Sequence, residues 1–345
     1  MKKLFLCIAI LFSGISCTKK QNIQEIKAPY FVKEIPSPDR NTLSNEGVEL
    51  GRMLFYDTAL SANGKIACAT CHQQSRAFTD GIALTKAGVS GNALLRHAPS
   101  LVNLAWQKNG LFWEGGAKDL ESLVFGPLTH PDEMAMDLTQ AVEIIKNRFD
   151  YNERFHKTFG IDTVHVAFIA RALAQFQRTL ISDNSKYDQF ARKEIQLNKR
   201  ELKGMRIFQR KCESCHQGDL FTDNDFHNNG LNNDFPDDYE GIFQGRFRIT
   251  LDSSDMGKFK TPSLRNIMRT APYMHDGRFK SMEEVLAHYS ENMKYSSTLD
   301  SIFFLKNEQI GIQLNEEEKK SIIAFMHTLT DSSFLINPNY SNPFQ

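Results

Sequence analysis

The sequence has no excess of charge: Lys plus Arg and Asp plus Glu both number 41 over 345 residues. Without a net field there is no global attraction to nucleic acid, and a nucleic-acid partner is not expected. Beyond the first residues no run approaches the roughly 18–20 apolar residues that cross a bilayer. Low-complexity tracts are absent. Tryptophan is scarce, with Trp106 and Trp113 alone, and cysteine occurs six times. What remains is ordinary for a soluble globular protein: 41% hydrophobic against 24% charged residues, a length of about two domains, and enough apolar content to exclude wholesale disorder.

The N-terminus reads as an export signal over residues 1–17. Lys2 and Lys3 form its charged start, Leu4 to Phe12 its apolar stretch and Ser13 to Ser16 a small-residue region before Cys17. Two readings of Cys17 stand. It is the lipidated first residue of a lipoprotein, giving a lipid anchor, or it is incidental to a plain secretory signal. Either places the mature chain in the periplasm. Residues 18–45, with Pro29, Pro36 and Pro38, read as a tether or arm.

Cys7 and Cys17 belong to the leader. The other four cysteines form Cys68-Ala69-Thr70-Cys71-His72 and Cys212-Glu213-Ser214-Cys215-His216. Both are C-x-x-C-H, the pattern of c-type haem attachment. Two thiols one turn apart add across the haem vinyl groups, and the adjacent histidine is delivered to the iron as proximal ligand. The competing chemistries for paired Cys-x-x-Cys motifs are a zinc site and a thioredoxin-type redox couple. Two matches in an exported chain with no spare cysteine favour two haems.

The motifs lie 144 positions apart and follow related text, Gly51-Arg52-Met53-Leu54-Phe55 and Gly204-Met205-Arg206-Ile207-Phe208. An internal duplication follows: a mainly α protein with two cytochrome c-like haem domains in tandem, at 46–195 and 196–335. Helical spacing marks Leu197 to Arg210 and Thr163 to Ile181, the latter resuming over Lys186 to Glu194. Asn315 with Glu318 three residues on predicts a helix start, with Ile322, Ile323, Met326 and Leu329 on one face. The Ser-, Asn- and Gly-rich stretch between Phe55 and Cys68 reads as a loop. Phe243 to Leu251 alternates as a short hairpin element would.

Six ordered blocks carry a family resemblance. They are Leu50 to Phe55 leading to Cys68; Arg96-His97-Ala98-Pro99-Ser100-Leu101-Val102-Asn103; Phe112-Trp113-Glu114-Gly115-Gly116; Pro131-Asp132-Glu133-Met134; Lys258 to Asn266; and Ala271-Pro272-Tyr273-Met274-His275-Asp276-Gly277. Over roughly 45–335 the chain resembles the bacterial di-haem cytochrome c peroxidase and MauG family. The resemblance implies an N-terminal haem that reacts with hydrogen peroxide and a C-terminal haem that relays electrons. Trp113 matches the tryptophan between them.

On the first haem the resemblance makes His72 the proximal ligand and Glu133 the distal acid/base group that moves a proton between the peroxide oxygens. Many relatives cap this iron with a histidine at rest. The matching stretch here, Val89-Ser90, has none, which predicts an open iron; His97 is the nearest alternative. Leu123 replaces a frequent glutamine, and Gly116 a usual arginine. On the second haem, opposite His216, the usual methionine aligns with Tyr289, as in the MauG branch, with Met293 the alternative. A phenolate lowers the haem potential and a thioether raises it. Met274 and Met282 read as core residues.

Thr270 and Pro272 match positions whose carbonyls help hold a calcium ion, whose third ligand is an asparagine where this chain has His97. His275 reads as a haem contact, whereas His130, His156, His165, His227, His288 and His327 read as structural or exposed. The function implied is reduction of hydrogen peroxide to water with electrons from a small c-type cytochrome or cupredoxin-like donor. Two alternatives stay open: a MauG-like enzyme that oxidises a partner protein, and a plain electron-transfer cytochrome. Relatives are often homodimers.

Overall fold

The computed structural model describes residues 26–306 and 309–345; the export signal with Cys7 and Cys17 lies outside them. Four principal helices arise from two equivalent pairs. α1 (Asn45–Tyr56) begins where the Ser44 side chain accepts from the Gly47 amide, and it packs against α2 (Val166–Arg178). α3 (Lys199–Lys211) and α4 (Glu316–His327) each start at a reciprocal capping box, Asn198 with Glu201 and Asn315 with Glu318, which satisfies amides that the helix leaves unbonded. These two pack together in turn.

The duplicated glycines explain how closely each pair approaches. A Cβ on Gly51 would lie 1.9 Å from the Ala172 carbonyl oxygen, and one on Gly204 would lie 1.9 Å from that of Ser321. Around the first pair Leu54, Phe55, Phe78, Leu173 and Phe176 form one core; around the second, Ile207, Phe208, Ile322, Phe325 and Met326 form another. Each such side chain contributes about 1.5–3 kcal/mol by leaving water.

The halves meet at a symmetric junction. Asn103 and Asn266 both adopt left-handed backbone conformations, at φ 57° and 60°. Asn103 exchanges hydrogen bonds with the Ser182 main chain at 2.9 and 3.0 Å, and Asn266 Nδ2 donates to Ser182 Oγ at 2.9 Å. Beside it, Arg265 clamps Asp188 through both guanidinium nitrogens at 2.9 and 3.0 Å, with both side chains buried.

The arm is packed down from residue 26 on: Tyr30 Oη donates to Asp188, Phe31 lies against Arg265 and Trp106, and buried Asn41 donates to Glu121. The other end of the chain returns to the first half. Arg52 Nη1 donates to the Pro338 carbonyl, Tyr56 Oη to that of Tyr340 and Gln74 Nε2 to that of Asn337, while the Phe334 ring packs on Phe78.

The expected hairpin over 243–251 does not form. Gly245, at φ 61°, separates a 3-10 turn at Ile242–Gln244 from a single helical turn at Phe247–Thr250. Arg246 there stacks on Phe226, and the alternation leaves Ile249 and Leu251 exposed. The strands observed are β1 (Phe226–His227) and β2 (Phe259–Lys260), an antiparallel pair. Among the described residues no helix is long and apolar enough to cross a membrane.

Candidate haem sites and the cavity between the domains

Each C-x-x-C-H motif is followed by Phe-Thr-Asp, and this small repeat builds the proximal side. His72 Nδ1 donates to the Phe78 carbonyl at 2.7 Å, and His216 Nδ1 to that of Phe221 at 3.1 Å. The next residues hold those carbonyl loops: Thr79 Oγ1 donates to Ala98 O, and Thr222 Oγ1 to Thr261 O, each at 2.6 Å. A histidine whose Nδ1–H is fixed on a carbonyl presents Nε2 to a metal in a set tautomer and orientation. Burial pushes both imidazoles toward the neutral form that binds iron.

Both motifs open on one cavity of about 920 Å³, at the upper end of the roughly 300–1,000 Å³ usual for ligand sites. Cys68, Cys71 and His72 line it from the first half, and Cys212, Cys215 and His216 from the second. Burial pushes the thiols of Cys68, Cys71 and Cys212 up to about 12. Apolar walls, two oriented imidazoles and two pairs of cysteines fit two covalently attached haems.

Glu133 lines the same cavity, half-buried, and its charge acts on both Cys68 and Cys71. Burial raises its carboxyl above the ordinary glutamate range, against a lowering by His130. Its main chain is pinned by the stretch where relatives carry a capping histidine: the Val89 amide donates to the Glu133 carbonyl at 2.7 Å. His97 lines the cavity, but its ring is engaged elsewhere, with Nδ1 on the Ile82 carbonyl at 2.8 Å and Nε2 on Thr79 Oγ1 at 3.2 Å. Thr270 and Pro272 also border the cavity, yet the side chain in the asparagine position, that of His97, offers calcium no oxygen, and both of its ring nitrogens are engaged.

Trp113 bridges the halves. Its Nε1–H donates to the His97 carbonyl at 2.9 Å, and its own carbonyl accepts from the Lys260 amide at 2.7 Å. Next to it His275 stacks on Phe259 at 3.6 Å with planes 7° apart. On the second side Tyr289 lines the cavity, stacks on Phe303 and accepts from Asn229 Nδ2 at 3.0 Å, whereas Met293 is not among the lining residues. Met274 is not a core residue: it is half-buried on the cavity wall at φ 75°. Met282 is buried and reaches the wall as well.

The sequence of the six blocks, the paired proximal sites and the shared cavity agree with comparison to known proteins. The profile of the di-haem cytochrome c peroxidase family matches residues 45–196. The methylamine utilization protein MauG of Methylorubrum extorquens is 36% identical over 318 residues, covering 90% of this chain and 86% of the relative. The chain belongs to the di-haem cytochrome c peroxidase family. Cytochrome c551 peroxidase of Nitrosomonas europaea is 34% identical, over 82% of this chain and 79% of that one. A crystal structure described as a MauG-like protein associated with microbial copper homeostasis superposes with a TM-score of 0.84 at 33% identity, covering 92% of this chain and 99% of the other. As a family member the chain is a peroxidase that carries two covalently bound c-type haems.

Two features escaped the sequence reading. His227 is held by two carboxylates, Nε2 on Asp223 at 2.8 Å and Nδ1 on Asp300 at 2.5 Å; the i,i+4 spacing of Asp223 and His227 was the available signal. Cys215, Asp223 and His227 lie close enough to suggest a metal cluster, but Cys215 is a haem-attachment position and the ion pairs already satisfy His227. The other is Asn229, which has no motif.

Proposed function

We propose that the chain reduces hydrogen peroxide to water at the N-terminal haem, with electrons entering through the C-terminal haem from a small periplasmic c-type cytochrome or cupredoxin-like donor. The observation that carries this reading is Glu133, a half-buried carboxyl with a raised pKa on the cavity wall, close enough to Cys68 and Cys71 to act on both. An electron carrier has no use for such a group. When bound, haem supplies the iron that takes peroxide and exchanges electrons with the donor.

The chain's own residues do the rest. Cys68 and Cys71, and Cys212 and Cys215, hold the two haems, and His72 and His216 are their proximal ligands. The carboxylate of Glu133 takes the proton from one peroxide oxygen and returns it to the other, so that the departing oxygen leaves as water. Two protons and two electrons complete the second water. Phe78 O keeps the His72 imidazole in place, Trp113 links the halves for electron transfer, and Tyr289, on the same cavity wall as His216, would be a further protein ligand of the second haem. Steady-state peroxide turnover with a reduced c-type cytochrome, measured with and without pre-reduction, tests the reading. Turnover without a lag is expected, and no turnover under either condition refutes it.

A further inference from the structure

Three contacts converge on Asn229, just after β1. Its Nδ2 donates to Tyr289 Oη at 3.0 Å and also reaches Met274 Sδ at 3.7 Å. Its carbonyl accepts from His288 Nε2 at 2.9 Å, and His288 is the neighbour of Tyr289 in the chain. The carboxamide is thereby fixed relative to the phenol. Asn229, Met274, Tyr289 and His216 all line the cavity.

The phenol oxygen and the thioether sulfur that Asn229 contacts have opposite effects on a haem iron. A primary amide has two hydrogens, enough for one to each. Donation to the sulfur holds the Met274 side chain on the carboxamide. Donation to the phenol oxygen fixes where that oxygen lies on the cavity wall. The strained left-handed backbone at Met274 is likewise a conformation that surrounding structure must hold.

We infer that Asn229 is a positioning residue that selects Tyr289 over Met274 as the sixth ligand of the C-terminal haem. The inference rests on the Tyr289 ligation proposed above. Its test uses the haem-loaded protein with Asn229→Leu, similar in shape but without donors, and the double variant Asn229→Leu/Met274→Leu. Asn229→Ala, also without donors, serves if leucine prevents folding, and two haems per chain by pyridine haemochrome assay confirms loading. Electron paramagnetic resonance and near-infrared spectra are then read in the ferric state.

In Asn229→Leu at least half of the low-spin phenolate signal is expected to give way to a thioether-to-iron band, and that band is expected to vanish in the double variant. An unchanged low-spin signal in Asn229→Leu overturns the inference, as does a thioether band that survives in the double variant. Tyr289→Phe separates the two levels. If it leaves the low-spin signal intact, the ligation itself is wrong; if it abolishes the signal while Asn229→Leu does not, only the role of Asn229 falls.

Discussion

The indole N–H of Trp113 is bonded to the main-chain carbonyl of His97 at 2.9 Å. The His97 amide in turn donates to the His275 carbonyl at 2.8 Å. Segments of the two halves are thus joined through one aromatic ring and two peptide groups between the C-x-x-C-H motifs. Trp113→Phe keeps an aromatic ring but removes the indole. Both haem spectra should persist while kcat for peroxide falls about tenfold, equivalent to about 1.4 kcal/mol of barrier. Stopped-flow oxidation of the pre-reduced enzyme checks this, and a wild-type rate would exclude Trp113 from the path.

Cys68→Ala and Cys212→Ala should each lower the covalent haem count from two to one per chain, since each pair of thiols serves one cofactor. Pyridine haemochrome assay of purified protein gives the number directly. Zinc in place of haem in the wild type would end the assignment.

Glu133→Gln should leave both haem spectra nearly unchanged and slow peroxide reduction by about 10²–10⁴-fold, the usual contribution of a general acid/base group. The pH profile supplies a second reading. Burial raises the Glu133 carboxyl, and the carboxylate must be free to take the first proton. Wild-type turnover therefore falls as pH drops through a point above the ordinary glutamate value, and this limb should vanish in the glutamine variant.

The resting ferric enzyme should show one high-spin haem and one low-spin haem. Tyr289→Phe should abolish the low-spin signal, and Met293→Leu should leave it untouched. Two low-spin signals with a lag before turnover would mean that a histidine caps the first iron after all.

The His227 clamp should give a pH-dependent stability. Burial alone would lower its pKa, but hydrogen bonds to Asp223, the Cys215 sulfur and Asp300 push it up to about 11. The contribution is fully present below the unfolded value near 6.5 and is lost as pH rises toward the folded one. Stability measured by denaturant should thus decline as pH rises above about 6.5, and less steeply in His227→Gln. Once Cys215 is a thioether its sulfur no longer ionises, so the two carboxylates carry the effect. Equal slopes in both proteins would contradict it.

What the sequence could show was chemistry with fixed local spacing. Both C-x-x-C-H motifs, the Asn315 to Glu318 cap and the duplicated Gly51 and Gly204 contexts depend on neighbours in the chain, and each has a structural counterpart. The Phe-Thr-Asp repeat after each motif was equally visible, but its purpose was not, since main-chain carbonyls as histidine acceptors leave no residue signature. Asn229 was invisible for another reason: its partners Met274 and Tyr289 come from turns 45 and 60 residues away. The alternation at 243–251 misled because Gly245 breaks the extended backbone and leaves aliphatic side chains on the surface. His97 shows the same limit at a site: its identity was plain, but the direction of its ring is set by Ile82 and Thr79.

The return of the last residues to the first half bears on the order in which the protein is assembled. Arg52 is 286 positions from the Pro338 carbonyl it binds, and Phe334 packs on Phe78, whose carbonyl holds His72. A nascent chain that has emerged only through α4 has every haem-attachment residue but lacks the segment that closes over the first motif. Such distant closure is slow to form and leaves apolar surface open in the interval. Completion of the first haem domain thus requires the last residues of the chain, and a proteolytic cut near the C-terminus would be felt at the opposite end of the polypeptide.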